Sequence, residues 1–361
     1  MNSVRLVARR EFTQRARERS FLVSTGLTLA IVLLVVALPT LLGIGGPSEY
    51  TVAATDPAGR AVAERAAELD ERFDADATVK DAPPADVTLS GGTIHADEQP
   101  DDKLVNLLQV ANQQLDADAQ PPLNLVTAEP VDPDRDAKAG LAFFAIMILY
   151  GQIIAYGYWV AAGVVEEKAS RVIEVLLATI RPRQLLAGKV IGLGLLGLGQ
   201  LLGIAALGLA VAGVSGALDI DAGMIGAVAL SVVWFLLGYA FYASAFAVAG
   251  ALVPRQEELQ SSTTPLTMLI LVSFFAGLGV NADPDGTLAH VCAFIPTTAP
   301  ITMPGRIILG AVPAWEIAAS VAVTVLATLA LIPLAGRIYS AVVLRTGTAV
   351  KLREALSLAR R

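Results

Sequence analysis

Glu166-Glu167-Lys168-Ala169-Ser170-Arg171-Val172-Ile173-Glu174-Val175-Leu176-Leu177 is a charged, amphipathic stretch set between two long apolar runs. At helical spacing Ala169, Val172, Ile173, Leu176 and Ile180 share one side. Glu167, Lys168, Ser170, Arg171 and Glu174 fall mostly on the other. Glu167 and Arg171 make an i,i+4 acid-to-base pair in the favourable order, worth roughly a few tenths of a kcal/mol. Pro182 is expected to end this helix, because its ring clashes with the preceding turn and its nitrogen carries no proton. Two readings compete: a helix on which a partner docks at the inner membrane face, and a solvated loop helix lying on lipid.

The runs on either side set the class. Hydrophobic residues make up 55% of the 361-residue chain and charged residues only 16%, with a mean hydropathy of +0.62. A soluble domain usually carries about 25% charged residues. The net charge of −7 averages two opposite populations: positions 45–138 hold 20 acidic and 7 basic residues, a net of −13, and the remainder holds 19 basic and 13 acidic, a net of +6. Lys and Arg stay on the cytoplasmic side while a long acidic domain can be translocated. The fold expected is therefore an α-helical polytopic membrane protein, six transmembrane helices with a small α/β extracytoplasmic domain between helices 1 and 2. The lone Cys292 cannot form an internal disulfide.

Working outward, residues 1–20 carry Arg5, Arg9, Arg10, Arg15, Arg17 and Arg19. They read as a basic interfacial helix in the cytoplasm, near anionic headgroups, with Val4, Val7, Ala8 and Phe12 facing lipid. Residues 21–44 are the first span, too long for the hydrophobic core of a signal peptide. Residues 45–138 form the outer domain, with strands at Tyr50–Thr55, Val87–Ile94 and Leu123–Val126, the second open to interruption at Gly91-Gly92. Helices are expected at Ala61–Phe73 and Leu104–Leu115. Asp97, Glu98, Asp101 and Asp102 lack the alternation of a calcium loop and read as a solvated acidic surface.

Residues 139–340 hold five more spans, with the charged helix at 166–181 between the second and third. Gly188 and Gly192 bring backbones close, either within the chain or across a dimer seam. Asp219 and Asp221 mark an outer loop. Residues 281–312 are apolar but broken by Pro296, Pro300 and Pro304, too interrupted for a simple crossing. Residues 341–361 form a basic cytoplasmic tail, so both termini lie inside.

The residues around the charged helix resemble the permease subunit of type 2 ABC exporters, in the branch described as sodium-efflux or multidrug permeases. The likeness rests on Glu166-Glu167-Lys168, Ser170 to Leu177 and Gln184-Leu185-Leu186-Ala187-Gly188-Lys189. Downstream it rests on Ile295-Pro296-Thr297-Thr298-Ala299-Pro300-Ile301-Thr302-Met303-Pro304, Arg306 and Trp315-Glu316. The resemblance implies that Glu166, Glu167, Lys168, Arg171 and Glu174 couple the chain to an ATPase. It also implies that Pro296, Pro300, Pro304 and Arg306 belong to an outer re-entrant region. The partners implied are an ABC ATP-binding subunit, a second permease copy or paralogue, and membrane lipids, with no nucleic acid. The location implied is the bacterial inner (plasma) membrane.

Chemistry within the chain points the same way. The spans are almost free of ionisable groups, which coupled ion carriers usually place inside the bundle. Lys189 lies near the inner end of the third span, and Glu316 at the start of the sixth is accounted for by the helix dipole. Gly188-Lys189 is followed by Val190 and has Arg183 where a P-loop needs glycine, so no nucleotide site is expected here. His95 and His290 are the only histidines, which disfavours a histidine zinc site or a hydrolytic triad. No cofactor is expected in this chain; ATP and Mg belong to the partner, and the chain is expected to be a transport subunit rather than an enzyme. An ion route would need oxygen ligands, for which Ser231, Ser244, Thr263 and Thr264 are thin candidates, so an amphipathic substrate is favoured over sodium. The alternatives are a non-transporting membrane sensor or scaffold whose outer domain binds a ligand, and a secondary transporter.

Overall fold

Long apolar runs in a membrane can satisfy their backbone only by staying helical, and here they do so at lengths suited to a bilayer, with Pro265 and Pro333 carried inside two of the helices. The computed structural model describes residues 2–41, 48–73, 75–80, 85–90, 92–96, 100, 102–115, 123–127, 135–170, 179–215, 222–310, 312–343, 345 and 349–359. Among these residues, five helices are long and apolar enough to cross a membrane. They lie in α5 (Arg135–Ala169), α6 (Pro182–Ser215), α7 (Ala222–Leu252), α8 (Leu259–Ala282) and α11 (Ala314–Val342). The shortest apolar stretch, Gln256–Ala282, has 27 residues. That is about 40 Å of helix, against a hydrocarbon core of about 30 Å. Two further helices precede them: α1 (Asn2–Ala16) and α2 (Arg19–Leu41), whose apolar part Arg19–Leu34 is shorter.

The chain divides into two compact units, Val35–Asp136 and the rest. In the first, the expected three strands are five: β1 (Ser48–Ala54), β2 (Ala75–Lys80), β3 (Val87–Ser90), β4 (Thr93–Ala96) and β5 (Asn124–Thr127). Their order is β2-β1-β3-β4-β5. β1 runs parallel to β2 and β3, β3 and β4 pair antiparallel, and β4 and β5 are parallel. The expected Val87–Ile94 strand is a hairpin, because Gly92 adopts φ +75°, a left-handed conformation that few L residues tolerate, and turns the chain back. Helices α3 (Pro57–Phe73) and α4 (Asp102–Leu115) pack together. Their Val62, Ala66, Leu104 and Leu108 close a core with Val52, Leu89 and Ile94 of the sheet. The acidic positions Asp97, Glu98 and Asp101 lie outside the described residues, as do Asp219 and Asp221.

In the helical unit, α8 and α11 are joined by two short helices, α9 (Thr287–Ala293) and α10 (Ala299–Ile308). The prolines explain the break: Pro300 stands in the first turn of α10, and the segment before it has no room for a continuous ladder. After α11 a last helix, α12 (Leu352–Ala359), packs back on its end.

The start of the charged stretch, positions 166–170, continues the preceding helix; positions 171–178 lie outside the described residues. Glu166, Glu167, Lys168 and Ala169 form the last turn of α5, closed by a Ser170 N–H bond to the Glu166 carbonyl at 3.0 Å. Pro182 opens the next helix, α6, where its missing N–H is harmless. Arg171 and Glu174 lie outside the described residues.

Candidate functional site

At the end of the bundle where α5 finishes and α6 starts, charge has been taken inside the protein. Lys189 is buried, with its Nζ 3.2 Å from Glu11 Oε1 and 3.2 Å from Glu167 Oε1. Both carboxylates are themselves buried. Arg10 stands 3.7 Å from Glu167 and brings a second positive charge from a half-exposed position. Two carboxylates and two cations balance, which is what makes burial of such a group tolerable. Glycine provides the space: a Cβ at Gly163, one turn before Glu167, would sit 2.9 Å from the Lys189 ammonium. Glu167 and Lys168 therefore do not lie on a solvated face as their periodicity suggested. Lys168 is buried too, and its ammonium donates to the Ala251 carbonyl at 2.7 Å, where α7 runs out of backbone partners. Glu166, Ala169 and Ser170 are the exposed residues of this turn. Glu166 meets Arg15 at 3.8 Å.

Glu11 reaches this cluster because α1 lies against α6. A Cβ at Gly188 would be 2.5 Å from Val7 Cβ, and one at Gly192 would be 2.5 Å from the Ala8 carbonyl oxygen. The Gly188-x-x-x-Gly192 pair is thus used within the chain, to seat α1. It follows that Val7 and Ala8 face α6 instead of lipid, while Leu6 and Phe12 stay exposed. Arg15 also lies 5.9 Å from the centre of the Trp159 ring, which in turn meets Phe21 of α2 edge-on. α1, α2, α5 and α6 are joined here by charge and by aromatic packing together.

At the opposite end, Pro296, Pro300, Pro304 and Arg306 are brought into one hairpin, and α10 is buried from Ala299 through Arg306. Its tip is tied to the long helices. The Thr297 carbonyl accepts from Tyr242 Oη at 2.8 Å and from Ser273 Oγ at 3.1 Å. Thr298 Oγ1 donates to the Cys292 carbonyl at 2.7 Å, and Ser320 Oγ to the Ala293 carbonyl. Tyr242 is ten residues from the end of α7 and Ser273 nine from the end of α8. At 1.5 Å per residue both are about 15 Å from those ends. The hairpin therefore reaches the middle depth of these helices, and the carbonyls freed by its turn are satisfied by side chains. A Cβ at Gly238 of α7 would be 2.5 Å from Pro300 Cβ, so this glycine admits the ring.

Arg306 holds the hairpin to the last long helix. Its Nη1 lies 2.5 Å from Glu316 Oε1, and its Nε donates to the Pro284 carbonyl at 2.8 Å. Both side chains are buried. Glu316 therefore does more than stand at a helix start: it is the counter-ion of Arg306, with His290 3.9 Å from its other oxygen. The type of partner was missed in the sequence because ten residues and a helix break separate the two.

The four hydroxyls considered as ion ligands are turned back onto their own helices. Ser231, Ser244, Thr263 and Thr264 each donate to the carbonyl four residues earlier in their own helix, at 2.7–2.9 Å. Sequence reasoning passed over a different polar group, the Tyr156 hydroxyl, which donates to Gln200 Oε1 at 2.6 Å between α5 and α6.

Long apolar helices ending in buried charge define a multi-pass membrane protein. The chain belongs to the ABC-2 transporter family: the pattern of the ABC-2 family transporter protein matches residues 72–337. Among curated proteins it is similar to "Uncharacterized protein YhaP" of Bacillus subtilis (strain 168), 34% identical over 235 residues, or 61% of this chain and 56% of that protein. It is also similar to "Uncharacterized protein MJ1024" of Methanocaldococcus jannaschii, 23% identical over 180 residues, or 50% of this chain and 44% of that protein. The matches thus span about half the length of these relatives. No solved structure matches the chain.

Proposed function

We propose that this chain is the permease subunit of an ATP-driven exporter, working with a separate ABC ATP-binding subunit and a second permease copy or paralogue. The observation that carries the reading is the rigid joint where α5 meets α6. The helices on either side of positions 170–181 are tied to one buried ion cluster through Glu167 and Lys189. A push on that segment would be transmitted to two long helices at once. Glu166, Arg171 and Glu174 are the residues of this stretch assigned to contact the ATPase, while Glu167 and Lys168 keep the joint closed. Positions 139–165, 190–211, 223–252, 259–282 and 317–336 contain no Asp, Glu, Lys, Arg or His. Energy from a coupled ion would ordinarily need one there. ATP and Mg are assigned to the partner.

In this reading α2 is the sixth crossing, both termini lie in the cytoplasm of a bacterium, and positions 45–138 lie outside its inner membrane. The hairpin of α9 and α10 then enters from the outer side. The substrate class that fits is a hydrophobic or amphipathic drug, peptide or lipid-like molecule, because polar side chains that could line an ion route are scarce in the long helices. The test is co-expression with a candidate ABC ATP-binding subunit, then ATP hydrolysis and export in proteoliposomes. Charge reversal at Arg171 and Glu174 should reduce both co-purification and stimulated turnover. Unimpaired ATP-driven export by that double variant, or export with no ATPase present, overturns the proposal; sodium efflux alone would correct the substrate.

A further inference from the structure

The face of α1 turned away from α6 has no protein partner among the described residues. Arg10 and Arg15 are engaged with Glu167, Glu18 and Glu166. Arg5 and Arg9 of α1, with Arg17 just past its end and Arg19 at the start of α2, are exposed and meet no carboxylate among the described residues. Leu6, 66% exposed, and Phe12, 37% exposed, stand among them. Four unpaired guanidinium groups interleaved with bare apolar side chains suit neither water nor a purely acidic protein surface. They suit the boundary where anionic headgroups meet acyl chains. Continuity of the chain favours the same occupant: only Arg17 and Glu18 separate α1 from α2, where Leu22, Val23 and Leu27 are exposed on an apolar helix.

We propose that this face of α1 binds anionic lipid headgroups, and that the Glu11–Lys189–Glu167 cluster conveys the occupancy of that face to α5 and α6. The proposal rests on the reading of this end of the bundle as the cytoplasmic membrane surface. Lipid phosphates would hold α1 in the plane of the interface through Arg5, Arg9, Arg17 and Arg19. Because Glu11 is locked to Lys189 and thereby to Glu167, holding α1 also holds the joint between α5 and α6. The lipid thus acts as a regulator of the same lever that the ATPase is proposed to drive.

The experiment uses the full-length chain in detergent, titrated with phosphatidylglycerol or phosphatidylcholine, with bound lipids counted by native mass spectrometry and thermal unfolding followed in parallel. The wild type should retain phosphatidylglycerol in preference and unfold at higher temperature with it. R5Q/R9Q/R17Q/R19Q should lower phosphatidylglycerol retention at least about tenfold, since each basic side chain near an anionic surface contributes about 1 kcal/mol. The corresponding four lysine substitutions should restore it, which separates charge from misfolding. Glu11→Gln should bind the lipid as the wild type does but lose the lipid-dependent rise in unfolding temperature. Equal retention of the two lipids by the wild type overturns the proposal. So does a glutamine variant that keeps phosphatidylglycerol, or one that keeps it while losing the ATP-binding subunit, which would assign the face to a protein. A Glu11→Gln protein that is still stabilised by lipid overturns the regulatory half. None of these readouts needs transport, so loss of the exporter reading would leave them interpretable.

Discussion

A buried ion pair is tested by breaking it on one side only. Arg306→Ala leaves the Glu316 carboxylate buried without its counter-ion, and should destabilise the protein by about 3–5 kcal/mol. Replacing both partners with apolar residues, Arg306→Met with Glu316→Leu, should recover most of that loss; melting in detergent reads both. Cys292 reports on the same place by chemistry. It is buried, out of reach of polar reagents. A polar maleimide should therefore label the native protein slowly, and the Arg306→Ala protein markedly faster. Glycines give a second comparison. Gly192→Ala, whose new methyl would lie 2.5 Å from the Ala8 carbonyl, should cost about 1–3 kcal/mol. Gly199→Ala, with nothing within 4 Å, should stay within about 0.5 kcal/mol.

For whole elements, the hairpin of α9 and α10 depends on a few side-chain donors. Tyr242→Phe combined with Ser273→Ala removes both partners of the Thr297 carbonyl, and should cost about 1–3 kcal/mol and loosen the hairpin tip, visible as faster Cys292 labelling. The interruption itself was legible in the sequence, since prolines clustered at positions 296, 300 and 304 disfavour one continuous helix, even though α10 carries Pro304 within it. Its depth was not, because the donors that satisfy it lie 55 and 24 residues away. A similar limit applied to the charged stretch. Periodicity put Glu167 and Lys168 on a polar face, but it cannot see that Gly163 and Lys189 open a place for a carboxylate inside. β2 escaped notice because Ala75–Lys80 carries only short or single apolar residues, and becomes a strand by pairing with β1. The hydroxyls of spans four and five looked available for the opposite reason: composition does not show a bond to the residue four positions back.

Across the molecule, charge was the most legible quantity. The acidic excess of positions 45–138 and the basic excess elsewhere separate along the same division as the two compact units. The topology drawn from it can be checked in cells carrying Cys292→Ala. A cysteine at Arg60, on α3, should react with a membrane-impermeant maleimide in intact spheroplasts. One at Glu257, in the turn between α7 and α8, should react only after lysis. Reaction of both from the same side would invert or discard the arrangement.

The seat of Ala8 on Gly192 also restricts how α6 can move. Backbone touches backbone there, and not even one added methyl would fit. Turning α6 about its long axis would bring Leu195 or Leu196, which share its surface three and four residues on, toward α1. A turn of α6 alone would therefore first have to lift α1 away, whereas the two helices can shift together as one body.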